Sequence, residues 1–284
     1  MKTTLLADGI YFGEGPRWHD GRFWFSDFYA HAVKSVGLGG DVRTELTLDG
    51  PSSGLGWLPD GRLLLVSMIE RKLLRREADG RVVTHADLDG IAVHRANDMV
   101  VDRLGRAYVG SFGFDLDHFI ETHGLDALFD EPGPIPSSLA FVDTDGSARA
   151  VANGIRFPNG AVLTADQTGL ILAETLGFQL LRFDIRPDGT LTRRRVFARL
   201  EGVAPDGICI DAAGAVWVAN ALAPEAILVA EGGARLARAE TSQNAYAVAL
   251  GGPEFRHLMV CTAPTSLASV VAAEPLGRLE IVEL

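Results

Sequence analysis

Short apolar bursts in period-two alternation run along the whole chain, separated by Asp-Gly, Asn-Gly and Gly-Gly turns. They include GRFWFSD (21–27), GRLLLVS (61–67), GRAYVGS (105–111), GLILAET (169–175), GAVWVAN (214–220) and FRHLMVCT (255–262). Successive side chains of a strand point to opposite faces, so alternation of this kind predicts β-strands, and the turn dipeptides predict hairpins between them. Long stretches of helical periodicity are missing, which makes the expected class all-β. Upstream of each burst a polar residue recurs, usually with a small residue after it and then an apolar strand: Glu14–Trp18, Ser53–Trp57, Asn97–Val101, Asn159–Leu163, Asp206–Ile210 and Asn244–Val248. The intervals between these starts are 39, 44, 62, 47 and 38 residues. Four-stranded propeller blades occupy roughly 40 to 50 residues, so the repeat predicts a six-bladed β-propeller of antiparallel blades.

Later strand pairs complete the units, for example HAVKSVGLGGDVRTEL, RKLLRREADGRVVTH, SSLAFVDTDGSARAVA and FQLLRFDIRPDGTLTRRRVF. An isolated blade exposes sheet edges and one-sided apolar faces, and packing six around an axis covers the faces and protects the edges. The opening TTLLA is expected to add the outer strand of the last blade and close the ring. The whole chain, 1–284, is then a single propeller domain. Its long third unit carries an insertion at about 111–138, with helix-like DHFIETHGL, Phe112, Phe114 and Phe119, and a Pro-rich return. That segment could be a lid over the channel or a plain surface elaboration, since long loops add little closure entropy.

In such a ring the first residues of the innermost strands gather at one mouth: Glu14, Ser53, Asn97, Asn159, Asp206 and Asn244. The antiparallel second strands return Asp27, Ser67, Ser111, Glu174, Asn220 and Thr262 to the same side, none of them apolar. Two carboxylates among amides in a concave site would repel one another, and a divalent cation resolves the conflict. An all-oxygen donor set favours a hard ion such as Ca²⁺ or Mg²⁺. No Cys or His cluster with metal-ligand spacing supports zinc, which carboxylates alone could still hold. The bland alternative is that these groups hydrate the channel or hold neighbouring backbone.

Composition narrows the partners. Lys plus Arg number 26 against 37 Asp plus Glu, a formal net charge of −11 that repels phosphate backbones, so nucleic acid is not an expected partner. Cys209 and Cys261 lie in apolar runs and read as two buried thiols of a reducing compartment. The N-terminal stretch lacks a signal-peptide pattern, and no run reaches the roughly 20 apolar residues of a membrane span. The expectation is a cytoplasmic protein without a membrane partner, a monomer or weak homo-oligomer. Neither a G-x-S-x-G elbow nor a phosphate-binding glycine motif is present.

FGEGPRW, RANDMVVD, FPNG and APDGICID, standing in that order at successive blade starts, resemble the SMP-30/gluconolactonase/LRE-like family of six-bladed propellers. The resemblance runs from Glu14 to about Thr262. It implies a metal held by Glu14, Asn159 and Asp206, with Asn153 a rival for the middle ligand that the strand-and-turn spacing disfavours. It implies Asn97 beside the metal and Arg95 at a polar or anionic end of the substrate. It also implies metal-dependent hydrolysis of a lactone, with Ca²⁺ the first choice and Mg²⁺, Mn²⁺ or Zn²⁺ as alternatives, and with Asp206 and Asn97 as the catalytic pair. Glu174, at the end of the strand beside Asn159, is expected to contact substrate or to orient a ligand from behind. His19, His94, His118 and His123 stand at turns or in the insertion, and Trp18 and Trp57 read as blade core. Another metal-assisted esterase or phosphotriesterase-like hydrolysis, and a non-catalytic binding propeller with a structural ion, remain the rival readings. The phenylalanine-rich insertion tilts the expected substrate away from a hexose lactone.

Overall fold

Six four-stranded antiparallel sheets surround a central axis in a computed structural model that describes residues 1–130 and 132–284. Five follow the chain in order. Blade one is Gly13–His19, Arg22–Asp27, Ala32–Val36 and Val42–Thr47; blade two is Ser52–Trp57, Leu63–Ser67, Lys72–Arg76 and Val82–Asp87. Blade three is Ala96–Val101, Ala107–Ser111, Ser137–Val142 and Ala148–Ile155; blade four is Pro158–Leu163, Gly169–Glu174, Gln179–Ile185 and Leu191–Arg199. Blade five is Pro205–Ile210, Val216–Asn220, Glu225–Val229 and Arg235–Glu240. Blade six takes Asn244–Gly251, His257–Ala263 and Gly277–Glu283 from the C-terminal region and Thr4–Ile10 from the N-terminus. The closing pair is antiparallel, with Thr4 opposite Ile281 and Ile10 opposite Gly277. This closure joins sequence-distant strands through a ladder with register shifts between Leu5 and Ala7 and between Ala7 and Ile10, and Thr3 N–H adds a bond to Glu240 O of blade five at 3.0 Å.

The core lies between blades. Val162, Ile171 and Leu180 of blade four pack on Ile208, Val216, Val218 and Ile227 of blade five, and comparable apolar layers fill the other interfaces. Near the axis the innermost strands come so close that small residues are required. A Cβ on Gly160 would lie 2.6 Å from Ile208 N, and one on Gly54 would lie 2.3 Å from Met99 N.

One irregularity repeats in every blade and positions the site. The ladder between the first two strands slips by one residue just past the polar start, as between Ser52↔Ser67 and Leu55↔Leu65, or Pro158↔Glu174 and Ala161↔Leu172. The same slip occurs in blades one, three, five and six. A β-bulge bends the strand and re-aims the side chain at the extra residue. Six bulges at one level therefore present six side chains around one end of the channel.

The register also corrects one member of that set. The residues facing Asp27, Ser67, Ser111, Glu174, Asn220 and Thr262 are Gly13, Ser52, Ala96, Pro158, Pro205 and Ala245. The next residue in each blade is Glu14, Ser53, Asn97, Asn159, Asp206 and, in blade six, Tyr246. Asn244 had been expected there, but it sits two residues earlier. The pairing of Ala245 with Thr262 sets this register, and Asn244, opposite Ala263, still lines the same mouth.

Candidate active site

Glu14, Asn97, Asn159, Asp206 and Tyr246 all face a cavity of about 250 Å³ at that end of the channel. The bulges explain their common direction, and a hydrogen-bonded chain fixes their order. Ser53 Oγ donates to Asn97 Oδ1 (3.1 Å), Asn97 Nδ2 to Asn159 Oδ1 (3.1 Å), Asn159 Nδ2 to Thr175 Oγ1 (3.3 Å), and Thr175 Oγ1 to Pro205 O (2.8 Å). Because Thr175 occupies the Asn159 amide nitrogen, the Asn159 carbonyl oxygen is turned towards Asn97. That oxygen keeps a second lone pair. Asn97 likewise keeps one N–H beyond the bond to Asn159.

The two acids are buried, 6% exposed at Glu14 and 8% at Asp206. Burial, with Asp206 and Asp98 nearby, pushes the Glu14 carboxyl well above its usual range. Burial and then Asp98 do the same to Asp206, which the Asn159 amide opposes only in part. Asp206 Oδ1 is buried and has no hydrogen-bond partner among the described residues. A buried, unpartnered carboxylate oxygen beside further acids is a costly arrangement unless a positive charge completes it. In chemistry, the oxygens of Glu14, Asn159 and Asp206 are the hard donors that a divalent cation takes. Among the described residues no three His, Cys, Asp or Glu side chains gather as a metal cluster; this set has two carboxylates, its third donor being an amide.

Sequence reading missed Asp98. It is 3% exposed, raised by burial, and paired with Arg17 across 3.7 Å. Arg17 also donates to Met99 O, so this cation sits close to the acids yet is committed to Asp98 and the backbone. The signal was available in the RAND run, where an acid directly follows the ring asparagine.

Arg95 reaches the cavity and pairs with Asp117 of the insertion at 3.6 Å. Glu174 does not line the cavity. Its Oε1 accepts from Arg156 N (2.8 Å) and Arg194 Nη2 (3.2 Å), and its Oε2 from Gln179 Nε2 (2.5 Å). Asp27 plays the same part in blade one, accepting from Tyr11 N (3.1 Å) and Phe12 N (3.0 Å). Both acids brace the backbone just upstream of a ring residue. For Glu174 the expected substrate contact is therefore replaced by support from behind the wall. Asn153, the rival ligand, is exposed on an outer strand, where it accepts from Ser138 Oγ at 2.8 Å.

The histidines stay outside the cavity lining. His19 stacks on Trp57 at 3.9 Å, His94 lies 3.4 Å from Asp115, and His123 packs on Phe119 at 4.8 Å. Trp18 packs edge-on to Phe23, as a blade-core residue should. The two cysteines are free, Cys261 buried and Cys209 only half-buried.

A roof covers the ring. The insertion forms helix α1 (Leu116–His123), capped by Asp115 accepting from His118 N, and a short turn at Asp126–Leu128. Leu116, Ile120, Leu125, Leu128 and Phe129 line the cavity together with the ring residues. A second roof piece, Thr265–Leu267 and the adjoining turn α2 (Ala268–Val271), comes from the loop before the last strand of blade six. Its one mark in the chain is the SLASVVAA run between two strand patterns. Asp117 joins the two pieces by accepting from Ala268 N at 3.3 Å.

The fold and site are those of a six-bladed propeller with a polar, oxygen-rich ring facing a cavity, and comparison with known proteins adds the family. Residues 12–264 match the SMP-30/Gluconolactonase/LRE-like region, and the chain belongs to that family of gluconolactonase-like hydrolases. It is 26% identical over 273 residues to pentonolactonase XacC of Haloferax volcanii, covering 93% of this chain and 86% of that protein. A gluconolactonase from Xanthomonas campestris superposes with a TM-score of 0.76 at 22% identity, over 99% of this chain and 88% of that one. A calcium-binding regucalcin from Agrobacterium tumefaciens superposes with a TM-score of 0.79 at 21% identity, over 100% and 94%. No helix among the described residues is long and apolar enough to cross a membrane.

Proposed function

We propose that the cavity hydrolyses a lactone to its hydroxy acid with the help of one divalent cation, Ca²⁺ by preference, held by Glu14, Asn159 and Asp206. The observation that carries this reading is the unpartnered Asp206 Oδ1 at the floor of a roofed cavity, beside a second buried acid. A purely structural ion would have no need of a cavity of about 250 Å³ above it. Relatives named gluconolactonase and pentonolactonase support the lactone class.

The cation, when bound, supplies Lewis-acid polarisation of the carbonyl and acidifies water. Asp206 accepts a proton as water adds to the carbonyl carbon, and returns it to the ring oxygen as the C–O bond of the lactone breaks. Asn97 donates its remaining N–H towards the substrate oxygen, held in place by Ser53 and Asn159. The fixed hydrogen-bond chain keeps these groups oriented before substrate arrives, so little reorganisation opposes the step. Asp27 and Glu174 hold the two strand starts that carry Glu14 and Asn159.

The test is pH-stat hydrolysis of sugar, γ- and δ-lactones by chelated protein resupplied with Ca²⁺, Mg²⁺, Mn²⁺ or Zn²⁺, with Glu14→Gln and Asp206→Asn alongside. Turnover that needs the cation and both acids is the expected result. Absence of lactone turnover with every metal, or variants equal to the parent, would overturn it.

A further inference from the structure

The floor of the cavity is polar and its walls are not. Above the ring rise Phe12, Phe28, Met68, Phe157, Ile120 and Leu128, contributed by the blade ends and by the lid. Several of the polar groups that also line the cavity are engaged by protein. Arg95 faces Asp117 at 3.6 Å, and Asp117 also accepts from Ala268 N at 3.3 Å. Asn244 Nδ2 donates to Ala221 O at 3.2 Å, and Thr175 Oγ1 to Pro205 O at 2.8 Å.

A polyhydroxylated sugar ring entering this space would exchange water for phenylalanine and leucine around hydroxyls that find few free partners. Each buried hydroxyl without a partner carries a desolvation penalty. A hydrocarbon arm in the same place gains transfer free energy and strands nothing. Resting on the lactonase reading, we propose that the substrate is a lactone whose ring bears an apolar arm, alkyl or aryl, with the ester over Glu14, Asn159 and Asp206 and the arm under the lid.

The proposal concerns the occupant of the walls, so its test separates the arm from the chemistry. In the cation-loaded protein, kcat/KM is measured along γ-butyrolactone, γ-hexanolactone, γ-octanolactone and γ-decanolactone, against D-glucono-1,5-lactone. A rise of about fourfold per added methylene is expected until the arm fills the space, with γ-octanolactone ahead of gluconolactone. Binding of 2-alkylcyclopentanones, which carry ring and arm but no scissile ester, is measured in parallel by calorimetry and should tighten with the same slope. Ile120→Asn and, separately, Leu125→Ser should flatten both series. A flat series, or gluconolactone preferred, overturns the apolar arm while leaving lactone hydrolysis intact. If no lactone turns over yet ketone binding tightens with arm length, the hydrolytic reading fails and the apolar wall site stands. Loss of arm dependence in both measurements refutes the inference outright.

Discussion

Replacing Asp206 by Asn should make the protein more stable without metal and indifferent to metal. In the parent, Asp206 Oδ1 is buried and unpartnered, while Glu14 and Asp98 are buried acids in the same electrostatic neighbourhood. Two unit charges on the order of 5 Å apart repel by ~3 kcal/mol at an effective dielectric of ~20. Asparagine keeps the shape, removes the charge and adds an N–H donor. Relaxation and partial protonation in the parent reduce the gain to ~1–2 kcal/mol, or a rise of ~2–8 °C in melting temperature at the ~2–4 °C per kcal/mol typical of larger chains. The opposite holds with metal. A cation at 100 times its Kd stabilises a one-site protein by about 2.7 kcal/mol, so the parent should melt several degrees higher in Ca²⁺ than in chelator. The variant should not. Scanning calorimetry of parent and Asp206→Asn, each in chelator and then in excess Ca²⁺, reads all four states. A variant that melts below the parent in chelator, or that keeps the full calcium-dependent rise, would refute the reasoning that this oxygen awaits a cation.

Three further outcomes follow from the same geometry. Glu174→Ala removes the carboxylate that accepts from Arg156 N–H and Gln179 Nε2; it should cost about 2–4 kcal/mol by urea unfolding and weaken cation binding, whereas an unchanged midpoint with a raised KM would restore a direct substrate role. Gly160→Ala places a methyl 2.6 Å from Ile208 N and 2.7 Å from Asp206 O, wedging blades four and five apart between two candidate ligands. A loss of ~1–3 kcal/mol with weakened cation affinity in calorimetric titration is expected, and a neutral result would argue against close packing there. Asp117→Ala removes the partner of Arg95 and the acceptor of Ala268 N; as a half-exposed pair it should change global stability by under about 1 kcal/mol. Hydrogen exchange should nonetheless quicken in α1 and in residues 265–271, and protection equal to the parent would mean that the two roof pieces are held by apolar packing alone.

Local pattern carried much of this protein. Period-two alternation and Asp-Gly turns constrain only neighbouring residues, so the strands, the six units and the N-terminal closure were legible from the chain, as were Glu14, Asn97, Asn159 and Asp206 as a facing group. The tertiary structure decided what local pattern does not encode. Strand pairing sets register without a sequence mark of its own, and the pairing of Ala245 with Thr262 put Tyr246, not Asn244, at the sixth position. Glu174 has the same position in its blade that a substrate-facing residue would have, yet three donors from its own blade and the preceding loop draw its carboxylate away from the cavity. Asp98 lies outside the cavity lining yet raises Glu14 and Asp206, because the closed ring buries acids of blades one, three and five near one another. The roof, built from an insertion and a loop about 140 residues apart, exists only because the closed ring brings both over one mouth. Period and polarity set which residues form strands and turns; which wall each side chain faces, and what it meets there, is fixed by long-range packing.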